Sequence, residues 1–460
     1  MRRSALPALV APGAAAAVSA AALTAIFVAG AVAGALAAAA APGAPEAAAV
    51  EPGCAEGEAA APPGAPLEIL SVRVASRVLA PGGAAGPAST DPKDVRLDEP
   101  VELLVLAEVR AGGKRARPAW YGPAGVDSAK VGRKTVRLLG ADTLPVRPWV
   151  AWFKVEPRMG HAPGEGRVPG YDGYCNAWLG GRRHGRWIGI DRIAYFETDV
   201  GLHRGGADGD GWTRRVDGWT RLADAHPSDP AHDVRGGLGT MRFKAALSLD
   251  CGRTWVESPG AAARDRLGIK PTVHRVSFRE GDDFAGYVTS FFNVPQVFGS
   301  LPAQARRFIG VDCADVLIAA ARTRGHKKIG YTFVEGLWKY ASEVVPRLLV
   351  RHDRVVPSAV HWSRAADPAP GEVRRGDIIP IGYERRREEY GYRSFAHVAV
   401  LYADRSDPSG PAKGAADGLL DPFDLILHVG YPALEIEPLG GQAPATIAVL
   451  RWKRRHEPEP

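Results

Sequence analysis

Residues Phe308-Ile309-Gly310-Val311-Asp312-Cys313-Ala314-Asp315-Val316-Leu317-Ile318 place a lone cysteine where an extended segment turns into a helix. After Cys313 the apolar side chains recur at the spacing of one helix face, and Gly325 offers a C-terminal stop. We therefore expect Cys313 in the first turn of a helix. There the unpaired backbone N–H groups and the helix dipole favour an anion and lower the pKa of a thiol. A cysteine so placed is a candidate nucleophile.

Two histidines follow in strand-like apolar segments, His397 within residues 394–402 and His428 within residues 424–430. We expect His397 to take the thiol proton as general base and His428 to orient the imidazole of His397. The first-turn N–H groups of the helix would then hold the oxyanion of a tetrahedral intermediate. No paired ligands at close spacing support a zinc site, so the sequence predicts neither a metal nor another cofactor.

The segment from about residue 297 to 450 resembles the NlpC-type cell-wall cysteine peptidases, a papain-like family. The matching pieces are Gly310–Cys313, Arg375–Ile379, His397–Tyr402 and Ile426–His428, the last leading into Leu434–Leu439. The resemblance implies a papain-like α+β domain at 297–456 and a Cys-His-His triad of Cys313, His397 and His428. It also implies that Asp312 binds the substrate near its amino end, and that peptidoglycan stem peptides are hydrolysed.

A second resemblance competes with the first. Asp312-Cys313-Ala314-Asp315, the helix after it and Gly325 are also similar to the transglutaminase-like superfamily. In that interpretation Asp421 replaces His428 as the third residue, and the enzyme is an acyl transferase or protease. The NlpC-type pattern Asp-Cys-Ser-Gly is itself altered by Ala314 and Asp315. This departure keeps open a third hypothesis, an inactive binding or scaffold protein of the cell envelope.

The N-terminal region predicts export. Arg2 and Arg3 precede an apolar run at 14–41, so residues 1–41 form a cleaved signal peptide or a membrane anchor. Residues 42–66, rich in Ala, Pro and Gly, are expected to be a disordered linker. The net charge of +7 is dispersed apart from a basic C-terminal tail, and nothing resembles a nucleic-acid-binding module. A mildly basic protein suits an anionic cell wall, and the predicted partner is peptidoglycan or a peptide.

Residues 67–260 are expected to form a β-rich, sandwich-like domain, followed by a connector at 261–296. Strands are predicted at Leu67–Val74, Val101–Val109, Trp149–Val155 and Trp187–Ile190, separated by Gly and Pro turns. One Asp-box motif, Ser248–Trp255, predicts a hairpin turn. The predicted fold class is therefore α+β, an exported β-rich domain followed by the papain-like domain.

The four cysteines suggest one disulfide. Cys313 must stay reduced to act, and Cys54 lies in the linker, so Cys175 and Cys251 are predicted to pair in the oxidising envelope. The alternative is that both remain buried thiols.

Overall fold

The computed structural model describes residues 67–453, except 81–84, 113, 169, 177, 180–185, 205–210, 217–236, 327, 357–359, 366–367 and 385–394. The predicted signal peptide or anchor at 1–41 and the predicted linker at 42–66 lie outside the described residues. Within the described ranges, no helix combines the length and apolar character needed to cross a membrane.

Six of the first seven strands build a closed barrel. The seven strands are β1 (Leu67–Val78), β2 (Ala88–Ser89), β3 (Lys93–Arg96), β4 (Val101–Ala111), β5 (Ala119–Gly122), β6 (Ser128–Val131) and β7 (Lys134–Gly140). Six of them follow the order β1-β2-β6-β7-β5-β4, and β4 pairs back along the whole of β1, which closes the ring. Because side chains alternate along a strand, β4 points Leu104 and Leu106 into one core and Leu103 and Val105 into another.

A second sheet packs against the outer face of β1 and β4. The strands of this part of the chain are β8 (Trp149–Pro157), β9 (Tyr174–Cys175), β10 (Trp178–Leu179), β11 (Arg186–Trp187), β12 (Tyr195–Arg204), β13 (Thr213–Arg215), β14 (Gly239–Ser248), β15 (Val256–Glu257), β16 (Arg264–Asp265), β17 (Gly268–Ile269) and β18 (His274–Arg279). The sheet order is β12-β8-β14-β18-β3, and β13 extends the barrel beside β4. Trp152, Met241 and Phe243 fill the space between sheet and barrel.

The C-terminal part is a curved half-barrel sheet with short helices. Its elements are α1 (Phe284–Thr289), β19 (Val297–Phe298), α2 (Pro302–Arg306), α3 (Cys313–Arg324), β20 (Ala341–Val350), β21 (Val355–Val356), β22 (Ile378–Tyr383), β23 (His397–Ala403), β24 (Leu425–Val429), β25 (Leu434–Pro438) and β26 (Ala445–Trp452). Short 3-10 helices lie at Ala141–Thr143, Val334–Lys339 and Leu439–Gln442. The seven strands follow the antiparallel order β21-β20-β26-β22-β23-β24-β25.

The predicted α+β class, with a papain-like second domain, is wrong. Among the described residues, strands make up 44% and helix only 11%, so this part of the protein is mostly β, with a six-stranded barrel and a half-barrel sheet. The sandwich-like first domain is likewise replaced by the barrel and the sheet packed on it. The physical reason is that α3 is the longest described helix, at 12 residues, and covers only one face of a seven-stranded sheet.

The segment expected to be a connector, 261–296, belongs to both halves of the molecule. Strand β18 lies between β14 and β3 in the second sheet. Helix α1 places Phe284 and Val288 in the same apolar core as Val316 and Leu317 of α3. A fragment beginning at residue 290 would therefore lose part of the core on which α3 packs.

The predicted disulfide between Cys175 and Cys251 is also wrong. Cys175, in β9, carries a buried thiol outside any disulfide, whereas Cys251 is disulfide-bonded. Cys175 lies in β9, which pairs with β19, whereas Cys251 lies in the turn between β14 and β15. That turn has the predicted Asp-box form, since the carboxylate of Asp250 accepts the Thr254 N–H at 2.8 Å. Cys54 lies outside the described residues.

Candidate functional site

Helix α3 begins and ends where the sequence predicts. Asp312 is its N-cap, Cys313 its first residue, and Gly325, with φ of 123°, ends it. Glycine suits this last position because a positive φ is costly for residues that carry a Cβ. Val316 and Leu317 are fully buried, so the helix is fixed by packing as well as by its caps.

The carboxylate of Asp312 is used within the protein. It accepts the backbone N–H of Asp315 at 2.9 Å, while the Asp312 N–H donates to Ser300 Oγ at 3.0 Å. Ser300 Oγ in turn donates to the buried carboxyl of Asp315 at 2.7 Å. Burial raises the pKa of both carboxyl groups, and the Asp312 charge adds to the increase at Asp315. Asp312 is therefore a helix cap, and this bond occupies the first-turn N–H of Asp315 expected to help bind an oxyanion. The contact of Asp312 with a substrate stays a prediction.

Cys313 is half-buried at the edge of the core that contains α3. The backbone N–H groups of Val398 and Ala314 lie against its sulfur. Burial, followed by the nearby Asp312 charge, nevertheless raises the pKa of the Cys313 thiol far above its ordinary value. The expected activation by the helix N-terminus is thus outweighed by desolvation and by a like charge, and the resting group is a neutral thiol.

His397 and His428 form a direct contact, as the sequence predicts. Nε2 of His397 lies 3.0 Å from Nδ1 of His428, and the two rings are perpendicular. The strand register explains this contact. His428 is directly opposite Ala399, so His397 is its diagonal neighbour on the same face of the sheet. Burial, and then the charge of His428, lower the pKa of His397 to about 3, so its imidazole is neutral at physiological pH.

Cys313 lies against the backbone of β23 at Val398, next to His397, but the imidazoles of His397 and His428 point to the other face of the sheet. Val398, Val400 and Leu427 point toward α3 and share its core. Ile379, Ile381, Ala399 and Ile426 point to the other side, into the half-barrel. His397 is paired with Ile381, and His428 with Ala399, so both imidazoles belong to the half-barrel side. Cys313 lies on the α3 side, and no hydrogen bond joins its sulfur to either histidine in the described part of the chain.

Two glutamates that the sequence argument missed complete the half-barrel cluster. His428 Nε2 lies 3.0 Å from Glu437 Oε1 and 3.4 Å from Glu435 Oε1. Burial raises the pKa of Glu437, but its contacts with His428 and Gln442 outweigh that effect and hold the pKa below its ordinary value. The alternation in Leu434-Glu435-Ile436-Glu437 already places both carboxylates on one face of a strand. Only the register of β25 shows that this face is the one that carries His428.

Within the part of the chain that the structure describes, these three side chains are also the group placed to hold a metal. The ligand atoms of His428, Glu435 and Glu437 all lie within 4.8 Å of one another. One imidazole and two carboxylates form a donor set that suits a divalent transition metal. The sequence prediction of no metal had considered Cys313, His397 and His428 together, which the structure does not assemble.

Asp421, the alternative third residue, lies away from His397. Its carboxylate accepts the Phe423 N–H at 2.7 Å in the turn before β24. Strand β24 begins at Leu425, which is opposite Ala403, the last residue of β23. His397 is the first residue of β23, at the other end of the strand. Six residues of extended strand span about 20 Å, so Asp421 cannot orient His397.

No protein-family model, curated protein or solved structure matches this chain. The functional argument therefore depends on the geometry of its own residues.

Proposed function

We propose that this protein is a non-catalytic binding protein of the cell envelope and not a Cys313-dependent hydrolase or acyl transferase. The observation that carries the proposal is the position of Cys313 and His397 on opposite faces of the half-barrel sheet. A general base must reach the proton that it takes, at about 2.6–3.2 Å in the reacting complex.

A small conformational adjustment would not remove the separation between the Cys313 and His397 side chains. A long hydrogen bond in a resting enzyme shortens when substrate binds. Moving the His397 side chain to the α3 face would instead require a change of register, because a shift of one residue reverses every side chain of a strand. That shift would break the pairing of β23 with both β22 and β24 and would bury the wrong residues.

The charges of the two groups support the same conclusion. The thiol is held neutral by burial, and His397 is held neutral by burial and by His428. Cysteine chemistry needs the thiolate, and an imidazole whose pKa is lowered this far is a weak base for generating it. Export, a place in the envelope and peptidoglycan or peptide as partner remain predictions of the sequence.

The proposal is tested with the whole exported chain, residues 42–460, because a fragment from residue 290 would cut through the α3 core. Defined muropeptides are incubated with wild-type protein and with Cys313→Ala, and the products are read by mass. We expect no product from either protein. Binding measured by calorimetry, where it occurs, should be the same for both. Product released by wild type and lost in Cys313→Ala would overturn the proposal and restore the cysteine hydrolase.

A further inference from the structure

A cleft lined by basic side chains lies between the second sheet and helix α2, away from the histidine cluster. Its empty space is about 380 Å³, including the part open to solvent. Five cationic side chains line it, together with Pro92, Ile269 and Pro271; the five are Arg242, Lys270, Arg275, Arg306 and Arg307.

Two of the five cations are paired with carboxylates. Arg275 Nη1 and Nη2 bind the two oxygens of Asp94 at 2.6 and 3.2 Å. Arg307 Nη1 lies 2.9 Å from Asp265 Oδ2. Arg242, Lys270 and Arg306 have no carboxylate partner among the residues described, so three positive charges remain uncompensated around one cleft.

Arg242 is the least usual member of this group, because only 2% of it is exposed. Its Nη2 donates to the backbone carbonyl oxygens of Phe308 and Arg307, the latter at 3.2 Å. Its Nη1 is buried and has no acceptor within the described ranges. Burial, with the nearby Arg275 and Arg307, lowers the pKa of Arg242 to about 10, although the neighbouring Tyr195 opposes this. A buried guanidinium with an unused donor and like charges around it is unfavourable without an anion.

Arg307 adds a second unused donor. Its Nε is buried and, in the part of the chain that the structure describes, has no acceptor. Lys270 and Arg306 are exposed and add positive charge to the same cleft. A group with several oxygens and a negative charge would contact the exposed cations and balance the charge of Arg242 and Arg307, which line the cleft, and arginine is the residue best suited to such groups.

We propose that this cleft, which we call the basic cleft, is a binding site for a phosphate-type oxyanion held by Arg242, Arg307, Lys270 and Arg306. The proposal names a ligand class for the binding role proposed above. Its test does not involve Cys313, so the two proposals can fail separately. The phosphate can be a free or terminal group, or an internal phosphodiester of an anionic polymer; both present the same oxygens to the cleft.

The test is calorimetric titration of the whole chain with inorganic phosphate, at fixed ionic strength in a chloride buffer. We expect saturable binding of one phosphate. Lys270→Met/Arg306→Met, which alters only exposed side chains, should weaken binding at least about tenfold, since charge-assisted contacts to the anion are lost. Arg253→Met, an exposed arginine in the Asp-box turn, is the matched control and should bind as wild type does.

Arg242→Met removes the buried guanidinium and should abolish saturable phosphate binding. Circular dichroism checks that this variant folds. If it does not fold, Lys270→Met/Arg306→Met still decides whether the cleft binds phosphate. A second titration with dimethyl phosphate distinguishes a free or terminal phosphate from an internal phosphodiester as the ligand. Binding of both probes supports an internal phosphodiester, and binding of inorganic phosphate alone supports a free or terminal phosphate. Absence of saturable binding by either probe, or equal affinity in wild type and Lys270→Met/Arg306→Met, would overturn the proposal.

Discussion

The reactivity of the Cys313 thiol is the most direct test of the separation between Cys313 and His397. Free cysteine has a pKa of about 8.5, so roughly a tenth of it is thiolate at pH 7.5. In the structure, burial and the Asp312 charge raise the pKa of Cys313 well above that value. Each unit of increase lowers the thiolate fraction about tenfold, so alkylation should be at least about tenfold slower than that of free cysteine.

The assay follows iodoacetamide modification of Cys313 by peptide mass, at pH 7.5 and without denaturant. Wild type is compared with His397→Gln and with free cysteine under the same conditions. Because His397 lies on the other face of the sheet, His397→Gln should leave the rate of Cys313 modification unchanged. Cys175, which is buried and reduced, serves as an internal standard for protection by folding.

Two results would refute this reasoning. Modification of wild-type Cys313 faster than that of free cysteine would show an activated thiolate, which a buried neutral thiol cannot give. A rate that falls in His397→Gln while the fold is intact would show that the imidazole acts on the sulfur. Either result would return the pair to the catalytic arrangement predicted from the sequence.

Four further outcomes test the structure. Arg451→Met should lower the free energy of unfolding by about 3–5 kcal/mol in urea melts, because it leaves the buried carboxylate of Asp377, now bound at 2.6 and 2.8 Å, without its partner. Adding Asp377→Asn should recover part of the lost free energy. A loss below about 1 kcal/mol would contradict this. His274 is neutral when folded because burial lowers its pKa to about 4, so as pH falls from 6.5 toward 4 the unfolded state binds the extra proton and stability falls, by up to about 1.4 kcal/mol per pH unit. His274→Gln should show a shallower slope in the same melts, and equal slopes would contradict the assignment. Leu317→Ala should cost about 2–5 kcal/mol in urea melts, since the side chain is fully buried against α1, and a cost below about 1 kcal/mol would show that α3 is not packed as described. Non-reducing peptide mapping should recover the Cys251 peptide cross-linked, and its recovery as a single alkylated peptide would contradict the structure.

The sequence determines the local elements well because their signals are local. The apolar periodicity after Cys313, together with Gly325, predicts α3 with Cys313 in its first turn and with its observed C-terminal end. The runs at Leu67–Val74, Val101–Val109 and Trp149–Val155 are strands, each a few residues longer than predicted. Only Trp187, the last residue of β11, falls in the strand predicted at Trp187–Ile190. The contact between His397 and His428 is also anticipated, since each lies in an apolar strand of its own.

Tertiary structure alone decides the class of the fold and the composition of the site. The pairing of β4 back onto β1, which turns a predicted sandwich into a barrel, joins residues that no local pattern links. The face on which a strand residue lies depends on pairing register, and a single residue separates Val398, which packs on α3, from His397, which does not. The sequence thus supplies a cysteine and two histidines in a catalytic order, and the register of β23 places the sheet between them. Alternation along a strand shows which side chains share a face of the sheet. It does not show which of the two faces meets α3, because that is set by packing across the whole core.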